Sequence, residues 1–175
     1  MIHTFLSVLL YTATVPHMSE DIDLAYRAYQ ICPKVGNAVP VDTLLTMLQI
    51  ERAYGVPDSM RGMTLAAACM ESGFNPNAKG DHHFGHHYSR GLYQQHAWYE
   101  TKYGIDRKDP IEATISWLDH VVSRVPKAKR CGYRNERDIW VAAWVIAIRA
   151  PSHNRCREKP KHLYYLAKFQ NSESL

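Results

Sequence analysis

The stretch Leu65-Ala66-Ala67-Ala68-Cys69-Met70-Glu71-Ser72-Gly73-Phe74-Asn75-Pro76 decides how this chain is read. A run of small and apolar residues predicts a buried helix over about 58–72, and Gly73 is placed to end it. One carboxylate, Glu71, stands in the last turn of that otherwise apolar helix. About twenty residues downstream, after a polar segment, comes Gly91-Leu92-Tyr93-Gln94. A lone acid at a helix end, followed by a polar loop and a Gly-Leu-x-Gln turn, makes a candidate sugar-cleaving site.

Working outward, the periodicity predicts a mainly α-helical single domain with its body over 19–175. Ser19–Ile31 reads as a short helix broken by Pro33 and Gly36. Val41, Leu44, Leu45 and Leu48 recur at helical spacing, and the helix they define ends at Tyr54-Gly55. Asn75–Ser89 is loop-like, with poor alternation and room for a small β-hairpin. Leu92–Tyr103 is compatible with a helix stopping at Gly104. Asp109-Pro110-Ile111-Glu112 is a strong helix start, with an N-cap, a proline in the first turn and a capping-box acid. Ile111, Ile115, Leu118 and Val122 continue it towards Pro126. Residues 137–148 are apolar enough in their middle, from Trp140 onward, to predict the central buried helix. Pro160–Gln170 makes a last amphipathic segment.

At 175 residues the chain is long enough for one full core. The net charge is +4, unevenly spread: between Arg124 and Lys161 stand eleven Lys or Arg against three Asp or Glu. That asymmetry favours an anionic partner, either wall polymer or nucleic acid, or else marks a solvated face. Residues 1–18 have the length and apolar character of a signal-peptide core without the usual basic front, so a leader is expected there. No segment approaches a transmembrane span. The four cysteines lack Cys-x-x-Cys spacing. Cys131 and Cys156 bracket one predicted helix and are the favoured disulfide pair, while Cys69 reads as a small buried thiol.

Cleaving a glycosidic bond requires a proton delivered to the leaving oxygen by an acid still protonated near neutral pH. The negative end of the helix dipole, with Met70 and Phe74 as apolar neighbours, would raise the pKa of Glu71. Gly91 would let backbone approach a ligand, and Gln94 offers both a donor and acceptors for sugar groups. Tyr88, Tyr93, Trp98 and Tyr99 supply flat faces. Trp98 and Tyr99 fit a core or a cleft equally well.

Glu71-Ser72-Gly73-Phe74-Asn75-Pro76-x-Ala78, then Ser89-Arg90-Gly91-Leu92-Tyr93-Gln94, resembles the soluble lytic transglycosylase domain of the goose-type lysozyme superfamily. Asp109-Pro110, opening a helix soon after, is also similar, and the resemblance covers roughly 56–150. It implies a lysozyme-like helical fold acting on peptidoglycan glycan strands between N-acetylmuramic acid and N-acetylglucosamine, and no cofactor. Glu71 would be the single catalytic residue, first general acid and then base. It would draw the proton from the muramic C6 hydroxyl as that oxygen closes a 1,6-anhydro ring. Ser72 would orient Glu71, while Gly91, Leu92, Tyr93 and Gln94 would bind sugar. Tyr93 stands where the family carries Met. The family's late Ala-Tyr-Asn-Ala-Gly motif is replaced by 142–151, where Trp144 takes the Tyr place and Arg149 could supply a polar group. The resemblance further implies an extracytoplasmic monomer, whether periplasmic, secreted or carried by a phage particle, with no nucleic-acid partner.

Two other readings accompany this one. Asp81 could activate water opposite Glu71, which would make the protein a lysozyme-type hydrolase; alternatively, Asp81 is a solvated turn residue. A non-enzymatic wall-binding or nucleic-acid-binding module would draw on the basic C-terminal half, although no helix-turn-helix, zinc-finger or RNA-binding signature is present. His82, His83, His86 and His87 could ligate zinc, but a His-rich loop over a carbohydrate cleft is the simpler reading, so no metal is expected.

Overall fold

The structure, a computed structural model, describes residues 15–81, 89–148 and 161–171. The chain is mainly α. Helix α1 spans Val15–Ile31, α2 Val41–Ala53 and α3 Met63–Ser72, with a 3-10 turn at Asp58–Met60 before α3. Strands β1 (Ser89–Arg90) and β2 (Gln95–His96) pair antiparallel, Ser89 with His96 and Arg90 with Gln95. Helices α4 (Trp98–Tyr103), α5 (Pro110–Val122), α6 (Val125–Lys129), α7 (Glu136–Ile148) and α8 (Leu163–Gln170) follow.

Several boundaries differ from expectation. Helix α1 starts at Val15 rather than Ser19, so it runs through the boundary drawn at residue 18; residues 1–14 of the expected leader lie outside the described residues. The expected helix over Leu92–Tyr103 is instead a hairpin turn, a strand and a short helix. Gly91 and Gln94 both adopt positive φ, which no helix accommodates. The hairpin of the described residues is not the one expected within 75–89: it pairs Ser89–Arg90 with Gln95–His96 and turns through the Gly-Leu-Tyr-Gln segment, while 82–88 lie outside the described residues. Helix α5 ends at Val122, before Pro126 as expected, but a further short helix begins at once. Pro126 sits at the start of α6, where its missing N–H costs nothing. Asp109 caps α5 as expected, its carboxylate accepting from Ile111 and Glu112 N–H at 2.9 and 2.8 Å.

The centre of the molecule is α3, not α7. Residues Met63 to Cys69 are all buried, and α3 packs against α1, α2 and α8. The reason is size: Ala66, Ala67 and Ala68 let neighbouring helices approach on every side. Helix α7 buries Trp140–Val145 against α5 and α6, but its last turn opens to solvent at Ile148. No helix among the described residues is long and apolar enough to cross a membrane.

Two devices fix α3. Cys69 is not a thiol: it is bonded to Cys32, just beyond α1, closing a sequence separation of 37. In the chain-entropy account such a loop stabilises by about 4 kcal/mol. The pairing Cys131–Cys156 has Cys156 outside the described residues. The second device is polar. Gly62, the N-cap of α3, has no side chain with which to cap it. Glu51 of α2 takes that role from outside, accepting from Gly62 N–H (2.8 Å), Thr64 N–H (2.6 Å) and the Thr64 hydroxyl (2.6 Å). Arg61 approaches Glu51 and forms a two-pronged pair with Asp21, with Arg52 on the same carboxylate. Burial pushes the Glu51 carboxyl up, against the pull of Arg61 and its hydrogen bonds. Asp21 also feels burial, but its two arginines outweigh it and hold its carboxyl low.

Candidate active site

Glu71 lies in the last turn of α3, at the mouth of a cleft of about 930 Å³. The chain is forced away from the helix immediately afterwards. Gly73 has φ 57°, and a Cβ there would lie 2.6 Å from the Pro33 carbonyl oxygen, so only glycine fits. Phe74 is also left-handed, at φ 64°, and its fully buried ring anchors the reversal. The helix end and its acid are thereby left facing the cleft.

Gln94 lines the same cleft, which joins the two sequence elements in space. It sits at φ 48° and is held by its own hairpin: the Ser89 hydroxyl donates to Oε1 at 3.0 Å, and Nε2 donates to the Gly91 carbonyl at 3.0 Å. One amide hydrogen and further lone-pair capacity on Oε1 are left over. Gly80 makes this packing feasible, since a Cβ there would fall 2.2 Å from Gln94 Oε1.

The carboxylate of Glu71 is bonded to a residue that the sequence did not point to. His162 Nε2 meets Glu71 Oε1 at 2.7 Å, across 91 residues of sequence. The imidazole is buried and lies against Trp144, with ring centroids 5.3 Å apart, and its Nδ1 has no partner among the described residues. A protonated Glu71 would donate to Nε2; an ionised one would accept from it. Either way Oε1 is fixed, and Oε2 has no hydrogen-bond partner among the described residues. The desolvation expected from Met70 and Phe74 is not how this acid is housed. Met70 is 41% exposed, Phe74 lies wholly within the core, and the Glu71 side chain itself is 38% exposed.

Other expected site residues are redistributed. Tyr93 lines the cleft, stacks on Trp117 at 5.0 Å and shares a hydrogen bond with the Thr114 hydroxyl. Burial pushes its phenol up, so it acts as a neutral group. Ser72 does not orient Glu71; its hydroxyl turns back to the Ala68 carbonyl at 2.8 Å. Leu92 is core. The close approach at Gly91 (φ 78°) is to backbone, not ligand: a Cβ would lie 2.0 Å from the Arg107 carbonyl oxygen. Trp144 is fully buried, edge-on to Trp117 at 5.7 Å, so it cannot contact a sugar. Arg149, Tyr88 and the histidines at 82, 83, 86 and 87 lie outside the described residues. Among the described residues, no group of three or more His, Cys, Asp or Glu could hold a metal.

Asp81 lines the cleft with φ 56°, its Oδ2 3.4 Å from His96 Nε2. Of the two ambiguous aromatics, Tyr99 is buried and Trp98 is 43% exposed; both line the cleft, with ring centroids 3.9 Å apart. An exposed indole backed by a buried ring is a suitable platform for a pyranose face. Lys102, Trp117, His120, Arg124, Lys127 and the end of α7 complete the walls. Sequence reading missed these residues. The signal for His120 was present, since it falls three residues after Trp117 on the inner face of α5. His162 had no such local signal.

His120 shapes the local electrostatics. Its Nε2 lies 3.2 Å from the Ala147 carbonyl and its Nδ1 3.5 Å from the Tyr103 hydroxyl. The neutral tautomer protonated on Nε2 satisfies both. Burial, then the charges of Arg124 and Lys102, push its pKa down to about 4, against the Ala147 bond. Between that value and about 6.5 the unfolded chain binds a proton that the folded protein refuses. Stability should therefore rise with pH across this window, by about 3 kcal/mol in all. Urea unfolding at steps from pH 4 to 7 should show that slope, and His120→Gln should flatten it. An identical slope in both proteins would rule His120 out as the cause.

Comparison with protein-family profiles, with curated proteins and with solved structures gives no match to this chain.

Proposed function

We propose that this protein is a peptidoglycan lytic transglycosylase with a lysozyme-like helical fold, cleaving the bond between N-acetylmuramic acid and N-acetylglucosamine. The observation that carries the reading is the meeting of Glu71 and Gln94 in one cleft walled by Trp98 and Tyr99. With Oε1 tied to His162, Oε2 of protonated Glu71 protonates the leaving glycosidic oxygen. The substrate's own acetamido group stabilises the positive centre at C1, so no second carboxylate is needed. The resulting carboxylate then takes the proton from the C6 hydroxyl, whose oxygen bonds to C1 and closes the anhydro ring. Glu71 is thereby reprotonated and no water is consumed. The Cys32–Cys69 disulfide supports action in an oxidising, extracytoplasmic compartment.

A second reading, hydrolysis, draws on Asp81, which lines the same cleft. Mass spectrometry of fragments released from purified sacculi separates the two. We expect 1,6-anhydromuramic ends; reducing ends would establish a hydrolase, and no cleavage at all would overturn both.

A further inference from the structure

The cleft is electrically divided. Glu71 and Asp81 contribute its carboxylates, whereas Lys102, Arg124 and Lys127 are cations in its wall. The three cations come from successive elements: α4, the junction after α5, and α6. None forms an ion pair with a carboxylate among the described residues. Arg124 Nε is buried with no acceptor among the described residues. Lys102 is held in place by aromatic rings, its Nζ lying 4.8 Å from the Tyr103 centroid and 5.6 Å from that of Trp98. Lys102 and Arg124 are near enough for both to act on the single imidazole of His120.

Cations gathered without a counter-charge repel one another, and an unpartnered buried guanidinium N–H leaves a strong donor unused. A bound anion would relieve both, and a planar carboxylate matches the fork of an arginine. In a stem-bearing strand each muramic lactyl carboxyl is tied up in the amide bond to its stem, so the sugars are uncharged rings suited to Trp98. The negative charges of such a strand are the carboxylates of the peptide stems.

We propose that Lys102, Arg124 and Lys127 form an anion subsite that binds a carboxylate of the peptide stem, so that the enzyme selects stem-bearing over stripped glycan. This rests on the transglycosylase reading above. A stem carboxylate seated there would orient the strand along the cleft while the sugar rings cross Trp98 on the way to Glu71. Selection by this route is electrostatic and should weaken with salt.

The test uses the full chain on two substrates: intact sacculi, and sacculi whose stems have been removed by an amidase and whose freed lactyl carboxylates have been capped as methylamides. Wild type should cleave the stem-bearing strands with kcat/KM about tenfold higher, equivalent to about 1.4 kcal/mol. In Arg124→Gln and, separately, Lys127→Gln that ratio should fall towards one, and 0.5 M salt should lower it in wild type. Far-ultraviolet circular dichroism checks that each variant is folded, and two variants guard against the loss of either. Equal cleavage of both substrates by wild type would overturn the subsite and leave the transglycosylase reading standing. So would a ratio unchanged in both variants. A phosphate-bearing wall preparation that competes where a stem peptide does not would assign the cations to phosphate and overturn the stem proposal. Failure of wild type to cleave either substrate would remove the underlying reading, and the subsite with it.

Discussion

Glu71→Gln is expected to lower the rate of glycan cleavage by about 10²- to 10⁴-fold, the usual worth of a positioned general acid. The amide has nearly the shape of the acid but cannot deliver the proton. At 38% side-chain exposure Glu71 supports no packing that the substitution would disturb, and an amide can still hydrogen-bond His162 Nε2. Stability should therefore stay within about 0.5 kcal/mol of wild type. Fragment release from sacculi, followed by mass spectrometry, reads the activity, and urea unfolding reads the fold. Cleavage at the wild-type rate with the same products would remove Glu71 from the mechanism. The result is informative because, among the described residues, His162 is the side chain bonded to the Glu71 carboxylate, and no second carboxylate is bonded to it to take over as acid.

The second large effect concerns stability. Glu51→Ala should destabilise the protein by about 3–5 kcal/mol, the cost of breaking a buried ionic network from one side. Glu51 is fully buried and accepts from the Gly62 and Thr64 backbone and the Thr64 hydroxyl, with Arg61 beside it. Truncation would leave these donors at the start of α3 facing a dry core, and Arg61 would keep only its pair with Asp21. The same substitution should loosen the Glu71 end of the helix, because α3 runs from Thr64 to Glu71, about 10 Å along its axis. Urea unfolding at pH 7 gives the measurement. A loss smaller than about 1 kcal/mol would mean that water or another side chain replaces Glu51 as the cap.

Those two residues also show where the sequence was informative and where it was silent. Glu71 was conspicuous because a single carboxylate ends an apolar helix. Nothing in the sequence sets Glu51 apart from Asp42, the other acid of α2. The importance of Glu51 comes from Gly62, thirteen residues short of Asn75 in a segment whose helix was predicted to be continuous. In fact a 3-10 turn and a left-handed glycine break that segment before α3 begins, and the break creates the cap that Glu51 fills. The apolar content from Trp140 onward points to residues 137–148 as the central helix. Content alone does not tell a helix enclosed on all sides from one buried on most of its length, and the three alanines of α3 decide that question by allowing close approach.

The sequence by itself determined the mainly α character, the capped start of α5 at Asp109 and the acid at the end of α3. Each of these follows from local rules: helical periodicity, capping chemistry, and a glycine where the chain must turn left-handed. Only the tertiary structure decided that Cys32 bonds Cys69, that Trp144 is core, that Gly91 faces the Arg107 carbonyl, and that His162 holds Glu71. It also brought Lys102, Arg124 and Lys127 into the wall of one cleft. These outcomes depend on which helix faces which across tens of residues. Such packing is set by the summed fit of side chains over the whole core, and no local window of sequence encodes it.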